Sequence, residues 1–191
     1  MKTENQQSPV ITLASTDEEL QGILVLQEHN LKSQLSADEQ MSEGFVTLKH
    51  DLALLRLMNQ PHRHVIAKLN QQVVGYALIM VPQMARHMPL LKPMFERIEQ
   101  LTLHDQPITN DRYVVMGQVC VAKAYRSSGL FAGLYARLAE TMKPLCDCVI
   151  TEIATHNTRS VRAHEKVGFK TVSCYTSNAT EWQIVLWELQ T

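Results

Sequence analysis

No run of apolar residues in this 191-residue chain approaches the roughly 18 needed to cross a bilayer. The opening stretch, MKTENQQSPV, lacks the apolar segment of a signal peptide, so a cytoplasmic protein without a membrane partner is expected. An excess of either charge is missing too. There are 18 Lys+Arg against 19 Asp+Glu, divided 8 to 9 over residues 1–95 and 10 to 10 over residues 96–191. Neither half is a basic module, which leaves a nucleic-acid partner without electrostatic support. Cysteine is sparse and wrongly spaced for a metal or a redox pair. Cys146 and Cys148 stand two apart, Cys120 and Cys174 are solitary, and the His62–Arg63–His64 triplet has no Cys or carboxylate cluster beside it. No metal is expected, and the thiols read as reduced core residues. Internal repeats and low-complexity segments are absent as well.

What remains is an ordinary globular composition, 45% apolar and 19% charged. The length suits one domain over residues 1–191, with about 70% of the unfolded surface buried. Val10–Leu13 reads as a short strand. The overlapping capping boxes Ser15-x-x-Glu18 and Thr16-x-x-Glu19 open a helix to about His29. Ser36-x-x-Glu39 predicts a short helix, and Leu48–Asn59 a third, stopped by Pro61. The period then changes to two strands, His64–Leu69 and Val73–Val81, forming a hairpin around Asn70-Gln71-Gln72. Residues 84–111 hold three of the seven prolines and a helical stretch at Met94–Leu103. They read as an insertion between strands, either a lid or a structural connection.

Tyr113–Val121 (YVVMGQVCV) is apolar on both faces, as a central strand should be. Phe131, Leu134, Tyr135, Leu138 and Met142 then make one apolar helical stripe. Cys148–Ala154 is a buried strand, and a helix from about Asn157 to Val167 ends at Gly168. Phe169–Tyr175 and Trp182–Leu189 close the chain as a strand pair.

The chemistry concentrates between the Tyr113–Val121 strand and the Phe131 helix. A strand turning straight into a helix leaves the first helical N–H groups without partners, and small residues there let an anion approach them. Arg126, Ser127, Ser128 and Gly129 fit such a site, and they fit a plain serine-capped helix start as well. The V-x-x-x-Y-R-x-x-G-L run from Val121 to Leu130 resembles the pyrophosphate-binding signature of the GNAT superfamily of acetyl-CoA-dependent N-acetyltransferases. Residues 157–169, an Asn opening a helix that ends in Gly168-Phe169, resemble that superfamily's second motif. The hairpin with Val74-Gly75-Tyr76 fits too. Two positions depart: Phe131 stands where the loop signature usually has Gly or Ala, and His164 stands where the second motif usually has Tyr.

The resemblance implies a single α/β domain. Its mixed, mostly antiparallel twisted sheet would carry helices on both faces and a splayed central strand pair. It implies an acyltransferase moving an acetyl group from acetyl-CoA to a primary amine, of a small molecule or a peptide or protein, by direct transfer in a ternary complex. Arg126, Ser127, Ser128, Gly129, Leu130 and Phe131 would hold the diphosphate, Val119 and Val121 the pantetheine, and Asn157, with Ser160 beside it, the CoA arm. Glu152 is the candidate base, ahead of Gln118 and His156. Helical geometry turns His164 inward with Ser160, Val161 and Val167, and it stands as acid, base or core residue. Arg159, Arg162 and Lys166 form the opposite stripe, a solvated face or a contact to the 3′-phosphate of CoA. Similar proteins are commonly homodimers. The alternatives are a non-catalytic acyl-CoA-binding or regulatory protein of the same fold, and a transferase for a longer acyl group.

Overall fold

The structure, a computed structural model, describes residues 8–34, 36, 39, 45–109 and 111–189. In chain order the elements are β1 (Val10–Leu13), α1 (Asp17–Glu28), α2 (Leu52–Asn59), β2 (Val65–Leu69), β3 (Gln72–Met80) and α3 (Lys92–Ile98). The small hairpin β4 (Thr102–Leu103) and β5 (Gln106–Pro107) follows, then β6 (Tyr113–Val121), α4 (Leu130–Met142), β7 (Cys148–Ala154), α5 (Thr158–Val167), β8 (Lys170–Ser177) and β9 (Thr180–Glu188). Seven strands form one open sheet in the order β1-β2-β3-β6-β7-β9-β8, in which only β6 and β7 run parallel. The expected mixed α/β architecture is present.

Local chemistry sets the element ends. At α1 the working capping box is Thr16 with Glu19: the Thr16 hydroxyl accepts from the Glu19 N–H, and the Glu19 carboxylate returns to Thr16 N. Ser15 adds its own N–H and hydroxyl to that carboxylate. The α2 helix starts at Leu52, four residues later than the sequence suggested. Asp51 caps it by accepting from Leu54 N at 2.8 Å, which leaves residues 47–50 as an open segment. Ser36 and Glu39 exchange the hydrogen bonds of a capping box, but the rest of the helix predicted there lies outside the described residues, as does Gly44.

The sheet has two buried faces. On one, α1, α2 and the 82–98 segment cover Tyr76, Leu78, Met80, Tyr113, Val115, Cys148, Ile150 and Ile184. That segment runs as two 3-10 stretches into α3, and it buries Met84, Met88, Leu91, Met94, Phe95 and Ile98 in this core. On the other face α4 and α5 cover Val65, Ala77, Ile79, Val114, Met116, Val149 and Val185. Two neutral imidazoles lie in the first layer. His64 Nδ1 accepts from Ile79 N–H and His50 Nδ1 from the Gln27 amide, and burial pushes them down to about 3 and about 4.

One irregularity shapes the centre of the sheet. In the β3–β6 ladder Leu78 pairs with Gln118 but Ile79 pairs with Met116, so Gly117 is an extra residue, a β-bulge. The bulge switches the alternation of β6. Before it, Tyr113 and Val115 face the α1 layer; after it, Cys120 does, while Val119 and Val121 face α4. The parallel β6–β7 ladder stops at Val115–Ile150. Beyond that point the strands diverge, with the Thr151 hydroxyl donating to Met116 O at 2.8 Å across the fork.

Candidate active site

The fork opens onto a cleft of about 630 Å³. After β6 the chain makes a 3-10 turn over Lys123–Tyr125 and reaches α4 through Ser127 and Gly129, both at positive φ, 63° and 86°. Gly129 is the N-cap of α4, with no side-chain cap, so the first helical N–H groups are left for another acceptor. A Cβ on Gly129 would meet nothing within 4 Å, so the space above it is open. Ser127, Gly129 and Phe131 line the cleft. The Ser128 hydroxyl turns back to Tyr125 O at 2.6 Å and the Leu130 side chain is buried in the core, leaving each its main chain to offer. The Arg126 guanidinium also lines the cleft, and it is braced by donating to Val121 O at 3.1 Å and Asn30 Oδ1 at 2.6 Å.

The other wall is main chain. Ala122 N donates to Val74 O, and bonding alternates along an antiparallel ladder. Cys120 and Gln118 are therefore bonded to β3, while the amides of Val119 and Val121 point away, towards the space β7 has vacated. Across that space Asn157 caps α5, accepting from Ser160 N at 3.4 Å, and both residues line the cleft. Segment 45–48 straps the fork: Asn157 Nδ2 donates to Phe45 O at 3.2 Å and Gln118 Nε2 to Leu48 O at 2.8 Å. Gln118 Oε1 in turn accepts from Gln27 Nε2 and the Tyr76 hydroxyl.

Beneath the strap lies a second, smaller cavity of about 90 Å³, whose walls include Leu91, Met94, Gln118, Glu152, Asn157 and Trp182. Register explains Glu152. It pairs with Ile184, and Trp182 pairs with Tyr175, so Glu152 and Tyr175 share the α1 face although β9 lies between their strands. The Tyr175 hydroxyl donates to Glu152 Oε2. Burial raises the Glu152 carboxyl to about 7, against the opposing effect of this hydrogen bond. A carboxyl in that range exchanges a proton readily near neutral pH.

His164 lines the same small cavity as Glu152 but packs on the α4 side of the fork, with both nitrogens engaged. Nδ1 lies 2.8 Å from Ser160 O, which can only accept, so Nδ1 carries the proton and Nε2 accepts from the Tyr135 hydroxyl at 2.7 Å. Phe131 and Phe169 pack edge-on against the ring. Burial holds this imidazole down at about 4, neutral at physiological pH. Its inward direction matches the helical geometry. Gln118 is committed to the strap network, and His156 is exposed and stacks on Phe45.

The sequence matches the Acetyltransferase (GNAT) family over residues 33–169. The chain belongs to the GNAT family. No curated protein sequence gives a significant match. Among solved structures, the fold is similar to the ribosomal-protein-S18-alanine N-acetyltransferase of Escherichia coli (TM-score 0.61, 12% identity, 96% of this chain and 95% of that one). It is also similar to yncA from Salmonella typhimurium with its cofactor acetyl-CoA (0.62, 15%, 97% and 96%). A third likeness is to Arabidopsis thaliana NAA60 in complex with acetyl-CoA (0.62, 12%, 95% and 99%).

Within this GNAT fold several site residues carry no local signal in the sequence. Asn30 and Arg126 meet across 96 positions, and Asn157 reaches Phe45 across 112. Tyr175 could have been paired with Glu152 only by knowing the strand order. Tyr135 was visible as part of an apolar stripe, but its hydroxyl partner was not. Among the described residues no cluster of His, Cys, Asp and Glu is placed to hold a metal, and no helix is long and apolar enough to cross a membrane.

Proposed function

We propose that the protein transfers an acetyl group from acetyl-CoA to a primary amine, directly within a ternary complex. The observation that carries this reading is Glu152. It is a carboxyl at about 7 in a cavity that meets the cleft at the fork, where Phe45, Val46, Val119, Asn157 and Ser160 are common to both. The thioester would enter from the α4–α5 side and the amine from the α1–α3 side.

Each substrate group has a matching place. The N–H groups at the start of α4, in the field of the helix dipole, suit the diphosphate, and the amides of Val119 and Val121, turned away from β3, suit the pantetheine. Glu152 removes the proton from the incoming ammonium, and the neutral nitrogen attacks the acetyl carbon. The carbon–sulfur bond then breaks, and the second proton of the attacking nitrogen passes to the departing sulfur, so that the amide is neutral and CoA leaves as the thiol. Cys120 lines the cleft, but burial raises its thiol to about 12, so it stays protonated and is a poor acyl carrier. Direct transfer follows from that. The acceptor cavity is small and walled by Leu91, Met94 and Trp182 beside one carboxylate, which favours an amine on a compact apolar group, of a small molecule or a peptide end.

One observation favours a second reading. His164 stands where similar proteins place a tyrosine, and its nitrogens are both occupied, as they would be in a protein that binds acyl-CoA without turning it over. Incubation with acetyl-CoA and a panel of amines and peptides, following free thiol, separates the two. Release of CoA that depends on the amine and falls about a hundredfold or more in Glu152→Gln supports transfer by general base. Binding without release, for every amine tried, supports the binder.

A further inference from the structure

The small cavity has a second polar group level with Glu152. The β6–β7 ladder ends at Val115–Ile150, and Glu152 is two residues further along β7. On β6 the bulge makes Gln118, not Gly117, the second rung beyond Val115, since Met80, Ile79 and Leu78 pair in turn with Val115, Met116 and Gln118. The two strands run parallel, so Glu152 and Gln118 stand opposite each other across the fork. Both line the small cavity, and neither lines the large cleft.

Two groups that cannot exchange roles fix the Gln118 amide. Leu48 O can only accept, so the atom 2.8 Å from it is Gln118 Nε2. From the other side, the His50 N–H can only donate. It holds Gln27 Oε1 at 2.8 Å, which turns Gln27 Nε2 to Gln118 Oε1 at 2.7 Å. The Tyr76 hydroxyl donates to the same oxygen at 2.6 Å, so both lone pairs of Oε1 are taken. Nε2 carries two protons, and Leu48 O takes one. The other has no acceptor among the described residues, and a buried N–H left so is unfavourable. It belongs to a side chain in the wall of the acceptor cavity.

Resting on the acetyl-transfer reading above, we propose that Gln118 determines acceptor specificity, donating its remaining amide proton to a carbonyl oxygen that the acceptor carries beside its amine. Glu152 receives the ammonium proton on one side of the fork while Gln118 holds the oxygen on the other. An acceptor with both groups a few bonds apart is gripped at two points, and its nitrogen is aimed. The oxygen belongs to a neutral group. No Lys or Arg is found among the described residues that line the cavity, so a carboxylate beside the amine would face Glu152 without a cation to offset the repulsion. The substrate class is an amino amide, the chemistry shared by a free amino-acid amide and the first residue of a peptide.

The test is kcat/KM of the whole chain with saturating acetyl-CoA for three amines, each referred to its neutral-amine concentration. They are alaninamide, alanine, and 1-fluoropropan-2-amine, which is similar to alaninamide in size and basicity but has no carbonyl. Alaninamide should exceed both others by about tenfold or more. In Gln118→Met both alaninamide and the fluoroamine lose rate as the network is disturbed, and the gap between them closes; calorimetry with acetyl-CoA reports whether the variant is folded. A merely structural role for Gln118 would lower both amines by one factor and preserve the gap, which overturns the proposal. Equal values for alaninamide and the fluoroamine in the parent protein overturn it without any variant. A short peptide beginning with alanine separates the two sources: a value above that of alaninamide makes the acceptor a peptide end, equality makes it a small amino amide, and either supports the role of Gln118. If no amine is acetylated, the acetyl-transfer reading falls with it.

Discussion

Replacing Tyr175 by Phe tests the proposed base without touching it. The Tyr175 hydroxyl donates to Glu152 Oε2, and this bond lowers the Glu152 pKa against the larger effect of burial. Its removal leaves the desolvation in place, so the carboxyl should hold its proton to higher pH. A hydrogen bond to a charged group is worth about 1.5–3 kcal/mol, or roughly one to two pKa units at 1.36 kcal/mol each. The site opens onto a cavity at the fork, where water can take over part of the lost bond, so about one unit is expected. The assay is kcat/KM against pH from 5.5 to 9.5, following CoA release. The acidic limb should be half-maximal near pH 7 in the parent protein, and near 8 in Tyr175→Phe with a similar plateau. In Glu152→Gln that limb should vanish along with most of the activity. Stability provides an independent readout. Folded Glu152 binds its proton up to about 7, whereas an unfolded carboxyl releases it near 4.5, so the contribution of this group to stability falls as pH rises between those values. Glu152→Gln should abolish that contribution, at most about 3 kcal/mol, seen as a change between pH 5 and pH 8 in the difference between the parent and variant urea midpoints. An acidic limb unmoved in Tyr175→Phe, with activity retained in Glu152→Gln, would sink the assignment.

Three further outcomes follow. Gly129→Glu puts a β-carbon at φ 86° and a carboxylate into the open space above the start of α4, so CoA binding should fall below detection in calorimetry; unchanged affinity would show that the diphosphate binds elsewhere. His164→Phe leaves the fully buried Tyr135 hydroxyl without its acceptor, at a cost of about 1–3 kcal/mol, and should lower the urea midpoint more than turnover; a large kcat loss at unchanged stability would make His164 a participant in proton transfer. His50, His64 and His164 are all held low by burial, at about 4, 3 and 4. The unfolded chain binds protons at these positions near 6.5, so stability should fall as pH drops from about 6.5 to 4, and a flat urea midpoint over that window would mean that water reaches these rings.

The elements that were legible in the sequence are those whose signals are local. The Thr16–Glu19 box, the apolar stripe of α4, and the Asn157 and Gly168 ends of α5 depend on residues a few positions apart, and all appear in the fold. The start of α2 was misplaced because Leu48 continues the apolar spacing of Leu52 and Leu55. What ends the helix is the Asp51 cap, together with the pull of Gln118 on Leu48 O from 70 residues away. The candidate site was legible as two motifs and a lone carboxylate. Its joining was not, because the contacts that make it a site, Arg126 to Asn30, Asn157 to Phe45 and Tyr175 to Glu152, exist only once the sheet order is known. The inward turn of His164 could be read from helical angles. Its occupation by Tyr135 could not, since nothing in the sequence shows that two helices will set a hydroxyl opposite a ring nitrogen.

The fork itself explains why a domain with so few polar signals can hold a large charged ligand. A strand pair that parts halfway leaves main-chain groups unbonded on both sides, each worth about 1–3 kcal/mol if nothing replaces the lost partner. The protein meets part of that need internally, through Thr151 to Met116 and Arg126 to Val121, and the strap satisfies Gln118 and Asn157. The amides of Val119 and Val121 point away from β3 towards the cleft, where the amide groups of the proposed ligand would meet them. The Gly117 bulge makes that possible, because it shifts these two residues out of phase with the first half of β6 and turns their side chains towards α4. Binding should then stabilise the whole sheet. A ligand at a hundred times its Kd adds about 2.7 kcal/mol, and the resulting rise in Tm should be obtained with CoA and abolished by Gly129→Glu. If a rise of that size persisted in the variant, the ligand would be stabilising the fold from somewhere other than the fork.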